Sequence, residues 1–141
     1  MKERLHTADN ILCTITQRYG AKTRAMEFEN DYARITFESP IDIRHLKEEI
    51  EKEVNEVIKK DFEVVNYILP RAEAEKLADI SMVPETINEV SIYEIVDFNK
   101  ITCGGPHLKR ISEVGRFEII IIIIIIKKKG ANIYSVYYTV K

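Results

Sequence analysis

Apolar residues recur at helical spacing near the start of the chain. Leu5, Ala8, Ile11, Leu12 and Ile15 form one stripe and predict a helix over residues 7–19. Gly20 stands where a helix C′ residue would. Residues 21–28 and 32–37 read as strands joined by the hairpin turn Glu29-Asn30-Asp31, and Ser39-Pro40 breaks the chain after them. Asp42 is the expected N-cap of a second helix running to Lys60, with Ile43, Leu46, Ile50, Val54, Val57 and Ile58 on its apolar face. A strand over 62–69 follows, then a short helix over 71–78 started by Pro70, a strand over 90–96 and a loop over 97–108. Residues 115–127 and 132–140 predict a closing hairpin, its second strand alternating Ile133, Ser135, Tyr137 and Thr139. Within it, residues 119–126 are eight consecutive isoleucines. That run is too short for a membrane-spanning helix, which needs ~20 apolar residues. Its β-branched residues predict a strand buried on both faces, and exposure would make it an aggregation hazard.

Together these elements predict an α+β fold, a mostly antiparallel sheet with two long helices packed on one face as a two-layer sandwich. With no internal repeat and no linker, residues 1–141 are expected to form a single domain.

Composition narrows the class. A chain of 141 residues with 45% hydrophobic and 31% charged residues has ample surface to bury, which excludes a disordered polyampholyte. The net charge of −2 argues against broad DNA binding and leaves room for a local basic patch that docks an RNA. Two cysteines, Cys13 and Cys103, make no disulfide framework, and residues 1–10 lack the apolar core of an export signal. Both features predict a cytoplasmic protein with no membrane partner.

His6 and Asn10 lie four apart, on one face of the first helix, and Cys13 leans the same way. Far along the chain, Cys103 and His107 frame Gly104-Gly105-Pro106 as C-x-x-x-H, where the glycines free the backbone. His6, Cys103 and His107 offer one sulfur and two nitrogens, the donor set of zinc, and three ligands plus a water make a catalytic site. Taken singly, a histidine near a helix start is ordinarily solvated or capping, and a C-x-x-x-H arises readily by chance. His45 reads as surface, and Cys13 as a small core residue with a lesser role as replacement ligand.

The surrounding residues are more specific. Leu5-His6-Thr7-Ala8-Asp9-Asn10-Ile11-Leu12 closely resembles the H-T-A-x-H-(I/L)-L helix of alanyl-tRNA synthetase editing domains and the free-standing AlaX proteins. Cys103-Gly104-Gly105-Pro106-His107 is similar to that family's C-G-G-T-H, and Ser112-Glu113-Val114-Gly115 to the T-G-E-I-G that follows it. Residues 31–37, Asp-Tyr-Ala-Arg-Ile-Thr-Phe, resemble its D-x-x-R-F-D-F strand. The related threonyl-tRNA synthetase editing domain shares both metal motifs. Two departures stand out: the family's second helix histidine is Asn10 here, a weak or substituted ligand, and the chain begins at the first metal helix, as the small AlaX form does.

The resemblance implies a zinc-dependent hydrolase that deacylates mischarged tRNA(Ala), most simply Ser-tRNA(Ala), because a pocket for alanine rejects serine only modestly. It implies Zn2+ at His6, Cys103 and His107, with Thr23 reading the serine hydroxyl. Lys22, Arg24, Lys109, Arg110 and the lysines at 127–129 are the cations available to tRNA phosphates. The alternatives are a catalytically silent tRNA-acceptor binding module with a degenerate metal site, an editing domain of threonyl type, and a metal-free α+β domain.

Overall fold

The structure, a computed structural model, describes residues 1–81, 83–102 and 108–141. The first helix, α1 (Lys2–Gln17), is packed against the second, α2 (Lys47–Lys59). Both lie against an antiparallel sheet of β1 (Lys22–Phe28), β2 (Ala33–Ser39), β7 (Asn132–Val140) and β6 (Phe117–Ile126), in that order. A second antiparallel sheet contains β3 (Val64–Pro70), β4 (Glu89–Ile95) and β5 (Asn99–Thr102) and carries the short helix α3 (Arg71–Leu77). The α+β class stands, with the strands divided between two sheets rather than joined in one.

The predicted stripe of α1 is the heart of the core: Leu5, Ala8, Ile11, Leu12 and Ile15 are all buried. They pack with Ala33, Ile35 and Phe37 of β2 and with Tyr134, Val136, Tyr138 and Val140 of β7. The core-facing phase of β7 is therefore the one opposite Ile133, Ser135, Tyr137 and Thr139. Tyr138 also donates its hydroxyl to the Leu5 carbonyl at 2.9 Å, fixing the start of α1 on the sheet. Helix α1 begins five residues earlier than the apolar pattern suggests, because its first turn, Lys2 to His6, is polar and adds no stripe except Leu5. Asp42 does act as a cap, accepting from Arg44 N at 3.0 Å, but it caps a 3-10 turn (Ile43–Leu46) that leads into α2.

Two further expectations are corrected. Residues 97–108 are not all loop: Asp97 adopts φ +67 and turns the chain into β5, which pairs with β4 from Ile92↔Thr102 to Ile95↔Asn99. The isoleucine run is an edge strand, not one buried on both faces. Register shifts at 119/121 and 124/126 insert bulges, so Ile119 and Ile122 face the core while Ile120, Ile121, Ile125 and Ile126 are exposed. Helix α2 covers the start of this edge. Asn55 accepts from Phe117 N and donates to Phe117 O, both at 2.9 Å, and Glu51 accepts from Ile119 N at 3.1 Å.

The segment after residue 107 is pinned beside residues 62–64. Val64 N donates to Lys109 O at 2.7 Å and Ile111 N to Phe62 O at 3.0 Å. A 3-10 turn (Ile111–Val114) then ends at Gly115, whose φ of +83 and the Lys141 carbonyl 2.3 Å from an added Cβ leave no room for a side chain. This accounts physically for the glycine that closes Ser112-Glu113-Val114-Gly115.

Candidate active site

Helix α1 supplies the first half of the site. The His6 ring stacks on Phe28 at the end of β1, with centroids 3.8 Å apart and planes inclined by 21°. Burial, and to a lesser extent Lys2, lowers the imidazole pKa below its ordinary value and favours the neutral ring. One turn further, Asn10 is only 2% exposed. Its Oδ1 accepts from Asn99 Nδ2 of β5 at 3.0 Å, and Asn99 Nδ2 also donates to Thr14 Oγ1. Asn10 Nδ2 and Asn99 Oδ1 are buried without a hydrogen-bond partner among the described residues.

On the side of α1 that faces β1, Asp9 accepts from Cys13 Sγ at 3.1 Å, and Thr23 Oγ1 donates to Cys13 Sγ at 3.3 Å. Burial raises the Asp9 carboxyl to about 6 against the opposing pull of the Cys13 hydrogen bond. Burial and the neighbouring Asp9 push the Cys13 thiol well up, which makes it a poor nucleophile. Thr23 therefore stands at Cys13, seven residues beyond His6 on the same helix. At 1.5 Å per residue that is roughly 10 Å along the axis.

Thr7 links the distant half of the motif to this helix. Its buried Oγ1 accepts from Leu108 N at 3.1 Å, a bond across 101 positions. The C-x-x-x-H segment is thus flanked by Thr102, the last residue of β5, and by Leu108, tied to the residue next to His6. Cys103 and His107 themselves lie outside the described residues. Among the described residues, no three His, Cys, Asp or Glu side chains gather as a metal site.

The cations expected to meet tRNA differ in state. Arg24 pairs with Glu38, which also holds Lys128 at 2.9 Å. Hydrogen bonds from Lys128 and Arg24 bring the Glu38 carboxyl down to about 2. Arg110 pairs with Asp61 at 3.0 Å and donates to the Asp61 carbonyl at 2.6 Å. Lys22 and Lys109 are exposed and form no ion pair among the described residues. His45 is a surface residue, 3.5 Å from Asp42, as expected.

Residues 90–137 match the family described as the threonyl and alanyl tRNA synthetase second additional domain. Over 143 aligned residues covering 98% of this chain, it is 33% identical to the alanyl-tRNA editing protein AlaX-M of Saccharolobus solfataricus. The chain belongs to the alanyl-tRNA editing family. This alanyl-tRNA editing family member is also 30% identical to the AlaX-M protein of Methanosarcina mazei over 122 residues, 82% of the chain. It is 40% identical to the alanine–tRNA ligase of Treponema denticola over 72 residues, 50% of the chain and 12% of the ligase. The chain spans 58% of the Saccharolobus relative and 49% of the Methanosarcina one. Among the described residues, no helix is long and apolar enough to cross a membrane.

Two site residues escape a reading of the sequence. Thr7 sits inside the His6-Thr7-Ala8 motif, so its position carried a signal, whereas its partner Leu108 did not. Asn99 lies in a four-residue strand with no alternation, and nothing local points to Asn10 across 89 positions.

Proposed function

We propose that this protein is a zinc-dependent trans-editing hydrolase that cleaves the ester between serine and the 3′-terminal ribose of tRNA(Ala). The observation that carries the reading is the Leu108–Thr7 hydrogen bond, which ties the flank of Cys103-Gly104-Gly105-Pro106-His107 to the helix turn bearing His6. A neutral imidazole at His6, with the thiolate of Cys103 and the imidazole of His107, fits zinc by donor chemistry. Asn10 occupies the substituted position. As oriented, its amide oxygen is spent on Asn99 and its remaining atom is a donor, so the set reduces to three ligands. Zinc, when bound, supplies a Lewis acid for the ester. Phe28 orients His6 by stacking, and the buried Asp9 and half-buried Cys13, linked through Cys13 to Thr23, fasten α1 to β1. Thr23, held at Cys13 one turn beyond Asn10 on α1, is the residue assigned to read the serine hydroxyl.

Hydrolysis consumes one water, breaks the bond between acyl carbon and ribose oxygen, and releases serine and tRNA. The exposed Lys22 and Lys109 are the cations immediately available to phosphates. Arg24 and Arg110 join them by exchanging carboxylate partners. The test is release of serine from Ser-tRNA(Ala) with zinc supplied, where hydrolysis well above the spontaneous rate is expected. Asn10 favours a second reading, a tRNA-acceptor binding module without turnover. That reading predicts salt-dependent tRNA binding and no serine release in the same assay.

A further inference from the structure

The four-stranded sheet ends in two edges of unlike character. Its β1 edge is guarded: Lys22, Arg24 and Glu27 stand along it, and a bulge falls between Thr23 and Ala25. Its β6 edge is not. From Ile120 to Ile126 no charge or proline interrupts the strand, and Ile120, Ile121, Ile125 and Ile126 are each about half exposed. Cover from α2 ends at Ile119, where Glu51 takes the N–H, after Asn55 has taken both backbone groups of Phe117. Beyond Ile119, no side chain or strand among the described residues bonds the outer backbone of β6. Outward N–H and C=O groups on an apolar strand are a template for another strand.

The charges at the two ends of this edge select the occupant. Glu118 and Glu51 stand at its start, and Lys127, Lys128 and Lys129 at its end. Lys128 is held by Glu38 and Glu118 by Lys141, while Lys127 and Lys129 form no ion pair among the described residues. A strand with acid at one end and base at the other is complementary to its own reverse. An antiparallel copy sets Lys127 and Lys129 beside the partner's acidic end, once at each end of the contact, whereas a parallel copy sets like charges together. A two-fold axis perpendicular to the sheet makes opposed residues point to the same face, as antiparallel pairing requires, so it passes through a residue rather than between two. The midpoint of the uncovered run is Ile123.

We propose that two copies of this chain pair antiparallel along β6, about an axis at Ile123, to make one continuous sheet. Ile120 and Ile121 of one copy then lie beside Ile125 and Ile126 of the other, and each pair shields the other from water. The uncovered run is much shorter than the roughly 20–30 residues a side of a standard interface, so the dimer dissociates on dilution.

Sedimentation equilibrium of the full chain at low salt, from micromolar to millimolar concentration, tests this. The mass is expected to rise from 16.4 kDa towards twice that value and to stop there. Ile123→Lys, which opposes two ammonium groups at the axis, is expected to stay monomeric with the parental circular dichroism. Glu118→Lys, and the double variant Lys127→Glu with Lys129→Glu, each set like charges at both ends and should self-associate about tenfold more weakly. Mixed in equal amounts, these two proteins recover the parental association as a heterodimer, because both ends are then complementary. The charge variants alter only solvent-facing side chains, so they decide the matter even where Ile123→Lys does not fold. A parent protein that stays monomeric at its highest soluble concentration, or that grows past a dimer, overturns the proposal. So does a charge variant that self-associates as well as the parent, or a mixture that fails to associate.

Discussion

Replacing Thr7 with valine removes one oxygen and keeps the branched shape. In the fold that oxygen accepts from Leu108 N at 3.1 Å, and Thr7 is 0% exposed. The change loses a net hydrogen bond and strands a partly buried backbone N–H, which together cost about 2 kcal/mol. For a chain of this size that corresponds to a fall of roughly 4–8 °C in Tm. The same bond docks the flank of the C-x-x-x-H segment, so on the zinc reading its loss also weakens metal retention. If 1.4 kcal/mol of it acts on the docked segment, the chelator concentration that strips zinc falls about tenfold. Thermal unfolding and chelator competition on Thr7→Val, with Thr7→Ser as the variant that keeps the hydroxyl, measure both effects. Thr7→Ser should track the parent. A Thr7→Val protein with parental Tm and parental zinc retention, or a Thr7→Ser protein as impaired as Thr7→Val, would refute the tie between the two halves of the motif.

Asn55→Ala removes both hydrogen bonds to Phe117 and uncovers the start of the isoleucine edge. About 3 kcal/mol of stability should be lost in urea unfolding, with increased light scattering, and Asn55→Asp, which keeps the acceptor, should fall between. Glu38→Gln frees Arg24 and Lys128 from a shared carboxylate. If these cations face tRNA, binding tightens a few-fold at low salt and the log–log salt slope steepens by about 1 per added phosphate contact; unchanged affinity and slope place them elsewhere. Asp42→Ala should cost about 1 kcal/mol at neutral pH by uncapping the turn before α2. Arg44 holds the Asp42 carboxyl down from 3.8 to about 2, so the stabilisation is present above the unfolded value and fades as pH falls through that interval. Parent and variant stability curves should therefore converge between those pH values, and a gap that persists at pH 2 contradicts the cap.

The helices and hairpins were legible because each buries a regular face. The α1 stripe and the α2 residues Ile50, Val54, Val57 and Ile58 are all in the core, as their spacing predicts. Helix ends and sheet membership were less so. The polar first turn of α1 carries almost no hydrophobic signal, and β5 is four residues of mixed character held by pairing with β4. The isoleucine run illustrates the limit of composition. Eight identical residues hold no periodicity, so which of them face water depends on two bulges set by the register against β7. The site divides in the same way. His6 and Asn10 share a helix face by arithmetic, whereas the Asn10–Asn99 and Thr7–Leu108 bonds join segments 89 and 101 positions apart and exist only once the sheets are assembled. The Thr23–Cys13 hydrogen bond, which seats β1 on α1, likewise exists only in the assembled fold.

The central claim is hydrolysis of mischarged tRNA(Ala), and the most direct measurement is the rate of serine release from Ser-tRNA(Ala) by the zinc-supplied protein. The account predicts release far above the spontaneous rate, abolished by chelator and by His6→Ala, with correctly charged Ala-tRNA(Ala) hydrolysed much more slowly. Serine release at the spontaneous rate, with zinc bound and tRNA binding intact, would contradict it and leave a binding module in its place.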